Sequence, residues 1–193
     1  MTYATYADVY RPAVQPRAFF YDAALVIAGS LLIALSAQLA VRLPFTPVPI
    51  TAQTLAVLLT GALLGWRRGV AAVLLYLGEG LAGLPVFAGG GAGPAHMAGP
   101  TGGYLIGFLL AAFTTGWLAE RGWDRRFGTT FVAMLAGNVL LYVPGLLWLA
   151  QFVGAAKTLS LGLYPFIIGD LIKIVIAAAL LPAGWKLVSR SRR

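Results

Sequence analysis

The sequence predicts an all-α membrane protein: six spanning helices in one bundle, with both termini on the cytoplasmic side. Three observations carry this. Of 193 residues, 60% are hydrophobic. Only 10% are charged, against about 25% in average globular chains, so a soluble fold could not cover its apolar surface. The basic residues, finally, gather in alternate connections between apolar runs.

Six apolar segments stand out, at 22–42, 51–65, 69–84, 103–119, 129–150 and 164–182. None alternates with a period of two, which favours helices over a barrel. The second and third are short for a span of about 20 residues, as expected of re-entrant segments or of helices beside a protein-lined cavity. The chain divides into an N-terminal cytoplasmic segment (1–21), a six-helix domain (22–185) and a basic cytoplasmic tail (186–193). The first twenty residues are polar and mixed, and the first apolar run is long, so no cleaved signal peptide is expected.

Orientation follows from the cations. With six spans, one side collects Arg11, Arg17, Arg67, Arg68, Arg121, Arg125, Arg126, Lys186, Arg190, Arg192 and Arg193. The opposite side has Arg42 and Lys157, and Lys173 lies inside the last segment. This positive-inside bias predicts cytoplasmic termini. The net charge of +8 is thereby explained as topology and contact with anionic lipid. Nucleic-acid binding is not expected, because no interleaved aromatics or binding fold accompany the charges. With no cysteine and one histidine, His96, disulfides, thiolate sites and most metal chemistry are excluded, and no cofactor is expected.

The outward loops differ in character. Residues 44–51 hold three prolines, which fix the backbone in turns or extended stretches. The connection from Pro85 to Pro100 is glycine-rich, lacks Lys and Arg, and can fold back over the bundle or serve as a plain connector. Gly61/Gly65 and Gly103/Gly107 form GxxxG pairs that suit close packing within the bundle. Ala24 and Ala28 give the first helix a similar small face, available to another subunit, including a second copy of the chain.

Glu79, Asp170 and Lys173 fall inside apolar runs, where each costs about 2.5–3.5 kcal/mol unless it faces a cavity or a partner. Asp170 and Lys173, spaced i, i+3, share a helix face and can form a self-satisfied pair or part of a binding site. Asp170 and Glu79 each lie about 9 Å below the outer ends of their helices, at 1.5 Å per residue. Arg42 and Gln53 flank the same layer. Phe45, Phe87, Tyr104, Trp148 and Tyr164 offer aromatic walls, although Trp148 reads first as an interfacial belt residue. Asn138 and Tyr142, one turn apart, add neutral hydrogen bonds. Such a mostly apolar pocket with few polar groups suits a small ligand with one anionic end.

Four stretches go further: Pro44-Phe45-Thr46-Pro47-Val48-Pro49-Ile50-Thr51-Ala52-Gln53-Thr54, Gly83-Leu84-Pro85-Val86-Phe87-Ala88-Gly89-Gly90, Gly99-Pro100-Thr101-Gly102-Gly103-Tyr104-Leu105-Ile106-Gly107-Phe108, and Pro165-Phe166-Ile167-Ile168-Gly169-Asp170-Leu171-Ile172-Lys173. Together they resemble the BioY family, the biotin-specific S-components of energy-coupling factor (ECF) transporters. The resemblance runs in order from about residue 20 to residue 182. It implies a six-helix S-component bundle in the bacterial cytoplasmic membrane that binds biotin beneath the outward loops. It further implies delivery through a transmembrane coupling protein and two ABC-type ATPases, with Ala24 and Ala28 matching the helix face that meets the coupling protein. Biotin is then the transported ligand, and Asp170, Lys173, Arg42, Gln53, Glu79, Tyr104, Asn138, Tyr142 and Phe87 are the candidate contacts. Asp170 would accept from the ureido N–H groups, Arg42 or Lys173 would meet the carboxylate, and Glu79 would hold Arg42 in place. Other readings are an S-component for a different vitamin, an intramembrane acid–base enzyme built on Glu79, Asp170 and Lys173, and a channel. The enzyme lacks a GxSxG nucleophile, a second histidine and metal spacing. A channel needs polar residues through both leaflets.

Overall fold

The computed structural model describes residues 4–190, with side chains through Val188. The described residues are mostly helical, with one small pair of strands. In order it forms α1 (Tyr6–Val9), α2 (Gln15–Gln38), β1 (Ala40–Val41), β2 (Ile50–Thr51), α3 (Gln53–Leu64), α4 (Trp66–Leu81), α5 (Gly93–Met97), α6 (Gly102–Ala119), α7 (Phe127–Val153), α8 (Ala155–Gly162) and α9 (Ile167–Arg190).

Each of the six apolar segments carries one helix: α2, α3, α4, α6, α7 and α9. Among the described residues four of these, α2, α6, α7 and α9, are long and apolar enough to cross a membrane. The 12 residues of α3 and 16 of α4 reach about 18 and 24 Å, short of a hydrocarbon core of about 30 Å. They meet at Gly65, whose φ of +83° turns the chain sharply between them. The helix of the first apolar segment, α2, begins at Gln15 rather than near residue 22, because the Gln15-Pro16 start suits a helix N-terminus. It ends at Gln38, after which β1 and β2 pair antiparallel and close the proline-rich connection into a hairpin. At the other end, α9 continues through Arg190, so Lys186 belongs to a helix rather than a loose tail. Arg192 and Arg193 lie outside the described residues.

The core lies where α3, α4, α6, α7 and α9 converge. Val57, Leu58, Val73, Tyr76, Met134, Leu141, Leu149 and Ile174 are essentially inaccessible there. The periphery is apolar too: Ile27, Leu35, Leu147, Ile168 and Leu180 are exposed, as lipid-facing helices require. Close approach depends on missing side chains. A Cβ on Gly107 of α6 would fall 2.3 Å from the Leu141 carbonyl oxygen of α7, and one on Gly61 of α3 would fall 2.5 Å from the Ala112 carbonyl oxygen of α6. Both GxxxG pairs thus pack inside the bundle. On α2 the small residues divide: Gly29 and Ser30 face inward, whereas Ala24 and Ala28 are exposed.

The N-terminal segment is part of the body. Thr5 and Ala7 are buried. Tyr6 stacks on Trp185 with ring centroids 4.1 Å apart, and its hydroxyl donates to the Leu181 carbonyl. Burial pushes the Tyr6 phenol up to about 12. The start of the chain and the end of α9 therefore share one end of the bundle. Arg68 joins them there, bridging Asp8 at 2.9 Å and Asp22 at 2.8 Å, while Arg11 also pairs with Asp22 at 2.8 Å. Arg125 Nη2 donates to the Ala4 carbonyl. Asp124, between α6 and α7, accepts from Trp185 Nε1 at 2.5 Å, and burial holds its carboxyl above the ordinary range.

Candidate functional site

The polar centre of the molecule is built on the first turn of α9. A carboxylate there is favoured by the helix dipole, and Asp170 sits there. The residue is 4% exposed, and its side chain is surrounded by donors. Oδ1 accepts from Lys173 Nζ at 3.0 Å and from Thr54 Oγ1 at 3.2 Å. Oδ2 accepts from Tyr142 Oη at 2.5 Å and Asn138 Nδ2 at 3.3 Å. Lys173 also donates to Thr54 Oγ1 at 2.8 Å. Helices α3, α7 and α9 are thus joined through one carboxylate. Its roughly four lone-pair positions are filled, whereas Lys173 has used two of its three protons.

This cluster forms one end of a cavity of about 570 Å³, counting its open mouth. Tyr104, Phe108, Tyr142 and Phe166 form aromatic walls, and Leu105 and Leu141 add aliphatic surface. Gln53 lines it as well and donates to Tyr76 Oη at 2.7 Å. Tyr104 Oη donates to the Gly162 carbonyl at 2.9 Å, which fixes its ring. Val48 and Pro49 of the hairpin, with Ala88, His96 and Thr101, cover the other end.

The cover is tied down. Trp148 Nε1 donates to the Gly99 carbonyl at 2.9 Å, so this indole is a tether for the loop rather than only a belt residue. Thr46 Oγ1 donates to the Leu161 carbonyl at 2.7 Å. The Phe87 backbone N–H donates to the Gly91 carbonyl at 3.0 Å, closing a tight loop. The glycine-rich connection is therefore a structured roof, not a slack connector.

Of the sequence candidates, Asp170, Lys173, Gln53, Tyr104 and Tyr142 meet at this cavity. Asn138 donates to Asp170 but lines a separate apolar crevice, with Leu135, Val139 and Ile174 of α7 and α9. Arg42 lies outside the roof, in an outer basin with Pro47, Ala95, His96 and Pro100. Phe87 is wholly buried under the roof, 5.6 Å from Tyr76 and stacked 5.0 Å from His96, and does not line the cavity. Phe45 and Tyr164 are exposed. Glu79 is the clearest departure. It faces α2 and accepts from Ser30 Oγ at 2.7 Å, and among the described residues no ion pair joins it to Arg42. An estimate of depth does not fix which side of its helix a residue faces, and Glu79 faces α2.

Thr54, His96, Phe108 and Phe166 are residues of the site that the sequence reading did not single out. Thr54 neighbours Gln53 at the opening of α3. Phe166 precedes Asp170 by four residues, the spacing of neighbours on a helix face, and was the most readable of the four.

The BioY family model matches residues 11–190. The chain is 42% identical over 160 residues to a biotin transporter BioY of Rhizobium etli, covering 79% of this chain and 86% of that protein. It is 41% identical over 139 residues to the biotin transporter BioY of Thermotoga maritima, covering 72% and 81%. Its fold matches the crystal structure of the S-component for biotin from an ECF-type ABC transporter, with a TM-score of 0.77, 28% identity, and coverage of 90% of this chain and 95% of the other.

Proposed function

The chain belongs to the BioY family, and from that premise we propose that it captures biotin and imports it as the substrate-binding subunit of an ECF-type transporter. The observation that carries the reading is the buried Asp170–Lys173 pair at one end of an aromatic-walled cavity, where lipid would reject both charges. Biotin matches this chemistry. Its ureido ring offers two N–H donors and one carbonyl acceptor, its sulfur ring is apolar, and its valerate tail ends in a carboxylate.

The ureido ring binds at the charged end. The remaining proton of Lys173 donates to the ureido oxygen. A ureido N–H reaches Asp170 by displacing a donor, and Asn138 at 3.3 Å makes the longest of the four bonds. The rings lie between Tyr104, Phe108, Tyr142 and Phe166. The tail then points toward the roof, where Arg42 in the outer basin attracts the carboxylate. Gln53 supports the wall through Tyr76, and Phe87 supports the roof.

Six helices cross the cytoplasmic membrane with both termini inside. The clustering of Arg11, Arg67, Arg68 and Arg125 around the end shared by the N-terminal segment and α9 supports that orientation. The exposed face of α2 around Ala24 and Ala28 docks on a transmembrane coupling protein, whose associated ATPases supply the energy. The chain itself catalyses no reaction.

Purified protein, without partners or ATP, should bind labelled biotin, and excess thiamine or riboflavin should not displace it. Displacement by either vitamin, or no biotin binding, would overturn the assignment. Because Glu79 is bonded to Ser30 away from the cavity, Glu79→Gln should change biotin affinity less than about threefold, under 1 kcal/mol. Calorimetric titration of that variant gives the number, and a loss of binding would place the carboxylate at the ligand after all.

A further inference from the structure

The geometry points to His96 as a second, proton-dependent anchor for the ligand's carboxylate, which makes biotin capture tighter in mildly acidic surroundings. The inference rests on the biotin reading above. His96 is the chain's single histidine. It lines both the inner cavity and the outer basin that contains Arg42, so it stands at the boundary between them. A ligand whose rings lie between the aromatic walls, with its tail directed to the roof, brings its carboxylate to this boundary.

The imidazole is held in place. It stacks on the buried Phe87 ring at 5.0 Å with 19° between planes. Its other neighbour is the backbone of Gly91, where a Cβ would fall 2.3 Å from Nδ1. Only glycine leaves room for the ring there, so the loop that builds the roof also fixes the histidine.

Burial, and then the nearby Arg42 guanidinium, hold His96 below its ordinary pKa, so it is neutral at pH 7 in the free protein. The groups on the elements around it are otherwise occupied. Tyr76 on α4 accepts from Gln53, Glu79 on α4 accepts from Ser30, and Tyr104 on α6 donates to Gly162. Among the described residues no acid is in place to favour the imidazolium until a carboxylate arrives with the ligand. A bound anion raises the His96 pKa, and binding takes up a proton from solvent. By linkage, affinity climbs as pH falls through the raised pKa of His96 in the complex and levels off below the pKa of the free protein. The gain is lost again where the ligand's own carboxyl protonates, near about pH 4–4.5.

The test is calorimetry or filter binding with the full chain in nanodiscs at pH 7.5 and 5.5, using biotin and its neutral primary amide. The expected result is biotin binding about three- to tenfold tighter at pH 5.5, tenfold being the limiting gain for a pKa rise of about one unit on binding. The amide should show no gain, and His96→Gln should abolish the gain for biotin. An equal gain for the amide, or retention of the gain in His96→Gln, overturns the role of His96. So does a flat response of the wild-type protein, a result that depends on no variant folding. Absence of biotin binding at both pH values would instead remove the transport reading itself.

Discussion

Replacing Asp170 by asparagine should weaken biotin binding about 100-fold or more while leaving the protein inserted in the membrane. The carboxylate accepts from four donors on three helices and neutralises Lys173, whose side chain is 17% exposed. An amide has one acceptor oxygen and presents N–H groups where an ammonium already points. Lys173 is then left charged and unpaired. Truncating one member of a buried, hydrogen-bonded charge pair costs about 2–5 kcal/mol, and about 3 kcal/mol is a factor of 100 or more. Titration with biotin, beside a size-exclusion profile of the detergent-extracted protein, measures binding and integrity separately. Unchanged affinity would refute the assigned role. The double variant Asp170→Asn, Lys173→Met separates charge balance from recognition: it should recover thermal stability lost in the single variant, yet still not bind biotin tightly.

The second large effect concerns packing. Gly107→Leu should lower the melting temperature by several degrees and weaken biotin binding in parallel. A side chain at this position meets the backbone of Leu141, its carbonyl oxygen 2.3 Å and carbonyl carbon 3.0 Å from the new Cβ. Backbone cannot step aside as a flexible side chain does, so α6 and α7 must separate. Overpacking of this kind typically costs about 1–3 kcal/mol. Those helices carry Tyr104 and Tyr142, so the cavity widens with them. Gly128→Ala on α7 is the control. Nothing lies within 4 Å of its added carbon, and alanine's higher helix propensity should leave stability unchanged or slightly raised. Equal melting temperatures for the two variants would show that the α6–α7 contact does not limit stability.

The long helices were readable because twenty or so apolar residues leave few alternatives. The i, i+3 spacing of Asp170 and Lys173 was readable for a similar reason: on a helix it fixes a shared face. Helices α1, α5 and α8, of 4, 5 and 8 residues, leave too little periodicity to detect, and the two-residue strands leave none. The misplacement of Glu79 has a specific cause. Rise per residue gives depth along a helix, but rotation about the axis depends on which neighbour it packs against. Glu79 and Asp170 share a depth estimate, and one faces α2 while the other faces the cavity. Arg42 lines the outer basin, and a roof that sequence could not reveal lies between it and the inner chamber. His96 was passed over because one histidine suggests no metal site. Its place beside Gly91 depends on a fold of the loop between Phe87 and Gly91.

The contact of Tyr6 with Leu181 and Trp185 joins positions 175 and 179 residues apart. Synthesis runs from one to the other, so the tyrosine leaves the ribosome long before its receptor exists. The bundle can be sealed at that end only once the last helix has been released and inserted. Ribosome-stalled chains that stop short of α9 should accordingly expose Tyr6 to chemical labelling, and full-length chains should protect it.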